Sequence, residues 1–165
     1  MQLNGLIYTF STQVKLFLAA FVVVLSIGFY TGLIFVGQTS TVHPDGIEEN
    51  YLGNEFNQEA LVMKFKKGSH EMLTIVHTHI LSMSFIFFLL GAVLLTTSMP
   101  KKIKTFLLVE PFVSVVITFG GIYLLWLGYT WLKYLVIVSG ILMTGSFVIS
   151  SVVILVQLFR KPRNL

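Results

Sequence analysis

The sequence contains no cysteine, and that absence closes several chemistries at once. Neither a disulfide, a thiolate zinc site, an iron–sulfur cluster nor the C-x-x-C-H attachment of a c-type haem can be built from this chain. Charge is nearly as scarce: 11% of the 165 residues are charged, against roughly a quarter in soluble globular chains. No nucleophile elbow, phosphate-binding loop or H-E-x-x-H occurs, so no independent catalytic activity is expected. No linker or low-complexity tract divides the chain. Histidine is limited to His43, His70, His77 and His79, and any metal site must draw on these, on carboxylates, on Tyr or on Met.

What is abundant is apolar surface: 55% of residues are hydrophobic, with a mean hydropathy of +0.86. That composition is the mark of a membrane protein. Leu16 to Val36 is an uncharged run long enough to cross a hydrocarbon core of ~30 Å. Ile80 to Leu95, Phe106 to Leu127 and Tyr134 to Phe159 supply three more, the first becoming a full span only when it begins near Met72 to His77. The fold expected is all-α, an integral membrane four-helix up-and-down bundle forming one domain over residues 1–165. Spans are predicted at about 14–37, 72–97, 104–127 and 131–159, with an outer segment at 38–70. Every backbone polar group in lipid must be satisfied within its own segment, and no alternating strands are present to make a barrel instead.

The basic residues sit at the ends of the apolar runs, so the net charge of +4 follows membrane topology and implies no nucleic-acid partner. Lys15, Lys101, Lys102, Lys104, Arg160, Lys161 and Arg163 fall on one side, and Lys64, Lys66, Lys67 and Lys133 on the other. This bias predicts a multi-pass protein of the bacterial inner membrane with both termini cytoplasmic and an acidic periplasmic segment. The first run exceeds the h-region of a signal peptide and is expected to be retained.

All four histidines map to the outer segment or to the outer end of the second span. At ~100° per residue, His77 and His79 point ~200° apart on a helix and cannot chelate one ion together. His70 shares a stripe with His77 but lies ~10 Å away along the axis. A b-type haem suits this spacing better than a chelated zinc. One imidazole, His77 or His79, would be the axial metal ligand, and the other would serve a propionate, a second haem or a neighbouring subunit. The second axial position would fall to His43, His70, Met83, a partner chain or nothing. The alternative is two interfacial polar side chains bonded to carbonyls or water, with a non-haem metal or a proton relay as further readings.

Gly28 and Gly32 form a G-x-x-x-G in the first span, with Tyr30 between them, and Gly120, Gly121 and Gly140 recur in the third and fourth. Together with outer-end aromatics these describe either a porphyrin or quinone pocket or tight helix packing in lipid. Glu110, followed by Pro111, is the intramembrane charge. A carboxylate at that depth costs ~2.5–3.5 kcal/mol on insertion scales, so it must snorkel, stay protonated or find a partner, for which Lys101, Lys102 or Lys104 are within reach; a structural cap or salt bridge is one reading and a proton-handling or quinone-contacting role the functional alternative. In the outer segment, Pro44-Asp45-Gly46 reads as a turn. Residues 57–67 read as a short amphipathic helix, Ser69 as the cap of the second span, and the whole as a lid over the histidine end that brings His43, Tyr51 or Glu55 near His77 and His79.

The runs GIEENYLGNE, KGSHEMLTIVHTHILSMSFIFFLLG and LLVEPFVSVVITFGGIYLLW resemble a family of small, largely uncharacterised four-helix bacterial inner-membrane proteins, Bacteroidetes members of which are sometimes mislabelled as elongation factors. The H-x-H that opens the second helix is the family's most specific mark. Asn50 and Ser82 to Ser84 stand where relatives often carry a further His, so the resemblance points to His77 and His79 and names no second ligand. The function expected is a membrane electron-transfer or respiratory-chain component that binds b-type haem, or helps a partner subunit hold a cofactor, near the outer face. The alternative is a cofactor-free accessory or assembly subunit whose glycine faces dock partner helices. A small transporter is a third reading, for which Ser114, Ser139, Thr144 and Ser146 offer a thin polar path.

Overall fold

The computed structural model describes residues 3–39, 43–55, 57 and 62–160, and among these every regular element is helical. A 3₁₀ turn at Leu6–Thr9 leads into α1 (Thr12–Thr39), followed by α2 (Pro44–Leu52), α3 (Ser69–Leu95), α4 (Lys101–Trp126) and α5 (Leu132–Phe159). Helices α1, α3, α4 and α5 are each long and apolar enough to cross a membrane, at roughly 1.5 Å per residue against a core of ~30 Å. Short connections make α3, α4 and α5 antiparallel neighbours, and the start of α1 and the end of α5 meet at one end of the bundle, the terminal end. The opposite, histidine end carries α2 and the start of α3.

Helix α4 is the spine. Its buried positions, Leu107, Glu110, Pro111, Ser114, Thr118, Gly121, Ile122 and Leu125, recur every three or four residues and face both α3 and α5. Gly121 lets α5 come close: a Cβ added there would stand 2.9 Å from Val136 Cγ2. Gly91 does the same for α3, where a Cβ would meet Leu108 Cδ2 at 3.2 Å. Without a hydrophobic drive between helices in lipid, such close backbone approach is what holds spans together.

Helix α1 lies across the groove between α3 and α5. Phe29 is its main anchor, stacked on Phe147 of α5 at 3.9 Å and edge-on to Phe87 of α3 at 6.5 Å. Phe87 and Phe147 meet edge-to-face at 6.2 Å, so three helices share one aromatic layer.

The terminal end is closed by hydrogen bonds. Gly5 N–H donates to Thr97 O at 3.3 Å and Ile7 N–H to Thr96 O at 3.1 Å, which seats the fully buried Ile7 under the bundle. Gln157 and Ser98 exchange two bonds, at 2.7 and 3.0 Å. The ammonium of the buried Lys104 donates to Leu95 O at 3.1 Å, to Asn4 Oδ1 at 2.7 Å and to Thr97 O. A cation on the last carbonyls of α3 is where the helix dipole favours one.

At the histidine end the connecting segment departs from the sequence expectation. The Pro44-Asp45-Gly46 stretch opens α2 instead of forming a turn, because Pro at the first helical position and an acid in the first turn both favour initiation. The amphipathic helix expected at 57–67 is absent from its described part, residue 57 and residues 62–67, which are non-helical; residues 58–61 lie outside the described residues. Asn54 dictates that irregular course, accepting from Lys64 N–H at 2.6 Å and donating to Val62 O at 3.0 Å. Ser69 is the first residue of α3 and not its cap; Gly68 occupies that place, with no side-chain cap bond.

Candidate functional site

Two places hold polar chemistry inside or beside the apolar spans. The first is the outer third of α3. Because α3 begins at Ser69, His77 and His79 lie about 12 and 15 Å along its axis, more than two turns in. Both are exposed. His79 rests its ring on Phe119 of α4, centroids 4.8 Å apart, and its Nδ1 is 2.7 Å from the carbonyl of Ile75 in its own helix. With Nδ1–H donating there, Nε2 keeps the free lone pair. His77 turns the other way. With His70, Leu73 and Thr74 it lines an open surface groove of about 370 Å³ on the far side of α3.

The structure therefore separates the predicted site residues. His70 and His77 share a face; His79 stands on another. His43 is 3.5 Å from Asp45, at the start of α2, which packs mainly on α4 and α5. The lid expected over the histidines covers the ends of α4 and α5 instead. Tyr51 O accepts from Lys67 N–H at 3.2 Å, and Glu55 Oε1 from Lys66 N–H at 3.3 Å. None of the described contacts joins His43, Tyr51 or Glu55 to His77 or His79. Burial lifts the Tyr51 phenol above its ordinary value of 10.0. Gly28 and Gly32 also stand apart. Phe29 is level with Phe87, which is eight residues, about 12 Å, further along α3 than His79. A Cβ at either glycine would meet nothing within 4 Å among the described residues, and Tyr30 is exposed.

Among the described residues, no group of three or more His, Cys, Asp or Glu side chains is placed to hold a metal ion. Tested against a b-type haem, His70 and His77 share one face of α3, about 10 Å apart along its axis, and His79 stands on another. His79 has the Nδ1 bond to a carbonyl that orients a ligating histidine; α1, α4 and α5 contain no histidine and so bring no second imidazole to it.

The second place is Glu110, buried at 9% exposure between α4 and α5 and about 13 Å into α4. Its Oε1 accepts from Ser114 and its Oε2 from Ser146. The lysines expected as partners are elsewhere: Lys104 is committed to the end of α3, Lys101 and Lys102 are exposed, and no ion pair to Glu110 occurs among the described residues. One turn and more beyond, Thr118 Oγ1 and Ser139 Oγ are 2.7 Å apart, continuing a line of hydroxyls along the α4–α5 seam. On its lipid side Glu110 enters the wall of an open groove of about 410 Å³ formed by Thr105, Phe106, Val109 and Val113.

Five pairings went unassigned in the sequence. Ser114 was findable, standing four residues after Glu110 on the same helix face; Ser146 was not, since it depends on the register of α5. The clamp on α2, in which Lys133 Nζ is 3.0 Å from Asp45 and 2.7 Å from Glu48, and the bond from Trp126 Nε1–H to Lys67 O at 2.8 Å likewise join residues 59 to 88 apart in the chain.

Fold and site together define a multi-pass helical membrane protein in contact with the bilayer. The chain belongs to the family Aq_1264_TM, a transmembrane helical domain, whose match spans residues 41–165. No curated protein and no solved structure matched it.

Proposed function

We propose that the protein is an accessory subunit of a larger membrane complex, docking through the histidine-bearing outer third of α3. One observation carries this reading: His77 is directed out of its own bundle from a position more than two turns inside an apolar helix. An imidazole left against hydrocarbon there is costly unless something bonds to it. Among the described residues no hydrogen bond of His77 is found, so the compensating group belongs to a neighbour, here a second membrane subunit at the periplasmic side of a bacterial inner membrane. The resemblance to Bacteroidetes-type proteins with an H-x-H at the same place would fit a common docking rim. Ser114, Ser139 and Ser146 are spent on bonds within the α4–α5 seam, which suits a packing role better than a transport path.

The test is a photoreactive benzoylphenylalanine at position 77, compared with one at the exposed Val116 on α4, in the native membrane. A discrete protein adduct from position 77 and lipid adducts alone from position 116 is the expected result. Lipid adducts alone from both would end this reading.

A second reading is favoured by the His79 Nδ1 bond to Ile75: Nε2 is preset to ligate the iron of a b-type haem whose other ligand, if any, comes from the neighbouring subunit. Such a haem would supply one-electron transfer. A Soret band in the purified complex, lost in His79→Ala and kept in His77→Ala, is the outcome this reading requires; a colourless complex removes it.

A further inference from the structure

Among the described residues, Glu110 is the only ionisable side chain in its layer of the bundle. On α4 the nearest are Lys104, tied to Leu95, Thr97 and Asn4, and Tyr123 near the far end. On α5 none lies between Tyr134 and Arg160, on α3 none between His79 and the end of the helix, and on α1 none between Lys15 and Tyr30. Among the described residues no cation faces the carboxyl, and its partners are two neutral hydroxyls. Charge there would have to be held by two serines in a medium of low dielectric, where burial of an unpaired ion is far more costly than burial of the neutral acid. A protonated carboxyl loses nothing in this setting. It can donate to one serine and accept from the other, and the serine that accepts is then free to donate its own proton to a carbonyl one turn back.

Two neighbouring features make that proton movable. Pro111 has no N–H, so the carbonyl of Leu107 lacks its usual helical donor and stands as an open acceptor in the same turn. The groove along Phe106, Val109 and Val113 runs against Glu110 through an almost wholly apolar wall, so the carboxyl lies just behind a surface that molecules dissolved in the membrane can reach. We infer that Glu110 is an intramembrane proton-binding site: it rests as the uncharged acid and exchanges its proton through the lipid-side groove, with Ser114 and Ser146 as positioning residues. The site is independent of the histidine rim, and its test does not depend on the docking partner.

The experiment treats the full-length protein in lipid vesicles with dicyclohexylcarbodiimide, an apolar reagent that needs a protonated acid. The carboxyl proton moves to a carbodiimide nitrogen, the carboxylate oxygen bonds to the central carbon, and the acyl group then migrates to nitrogen; nothing is oxidised or lost. Modification mapped to Glu110 and absent from Glu71, with no adduct in Glu110→Gln, is the expected result. In infrared difference spectra, wild type minus Glu110→Gln, the carbonyl stretch of an undissociated acid should appear and shift in D₂O. Carboxylate stretches in its place would overturn the proposal. So would a Glu110 that stays unmodified in the folded protein yet reacts once detergent-unfolded. Should Glu110→Gln fail to fold, peptide mapping on the wild type and on Ser146→Ala decides the matter alone: a Glu110 adduct in the folded wild type supports it, none overturns it.

Discussion

Gly53 ends α2 with φ 83° and ψ 173°, a backbone region open almost only to glycine, and a Cβ there would lie 2.7 Å from Lys66 N and 2.9 Å from Lys64 O. Gly53→Ala therefore carries both strain and a backbone clash, roughly 1–3 kcal/mol for the strain alone. Hydrogen exchange at the amides of Asn54 and Lys64 should rise sharply while that of α4 and α5 stays fixed; unchanged exchange would mean that the segment accommodates the methyl. Single residues of this kind were poorly legible beforehand. Glu110 stood out in the sequence because a carboxyl inside an apolar run is anomalous by itself. Its real partners did not, because attraction to the nearest lysines is the obvious guess and a serine 36 residues away leaves no local trace.

The four spans were legible because hydrocarbon thickness dictates their length and composition. Helix α2 was misread because Pro, Asp and Gly favour turns as readily as helix starts, and what decides is tertiary. Lys133 at the start of α5 holds Asp45 and Glu48, fixing α2 against the bundle. The hydrogen bond from Lys133 keeps the Asp45 carboxyl below its ordinary 3.8, aided by the charge of that lysine. A group whose value is depressed on folding contributes fully above its unfolded value and is lost as pH falls below it. The clamp should thus hold at neutral pH and loosen on acidification through and below the carboxylate range. Protease cleavage within residues 44–52 is expected to increase over that window in the wild type, and to be high at all pH values in Lys133→Met. A Lys133→Met chain as resistant as wild type would show that α2 is held by its apolar face, through Ile47, instead.

At the level of the whole molecule, the bundle is tight around α4 and looser around α1, whose seat is the Phe29–Phe87–Phe147 layer. Phe147→Ala removes the stack and one edge contact, at about 0.5–1.5 kcal/mol for each aromatic pair. With no native cysteine to interfere, spin labels at Val24→Cys and Ile149→Cys, both exposed positions, report α1 against α5. The distance distribution should broaden in the Phe147→Ala background while the unfolding of α4 and α5 changes little; an unaltered distribution would show that Ala19 and Val22 suffice.

The seat of α1 also sets an order of events during synthesis. Phe87 lies on α3, Thr96 and Thr97, which receive the 3₁₀ turn, lie just past its end, and Phe147 lies on α5, so α1 has nowhere to rest until α5 has followed it out of the ribosome. Until then it must wait in the bilayer without its seat, which makes the newborn protein most open to chaperones, proteolysis or premature capture at α1.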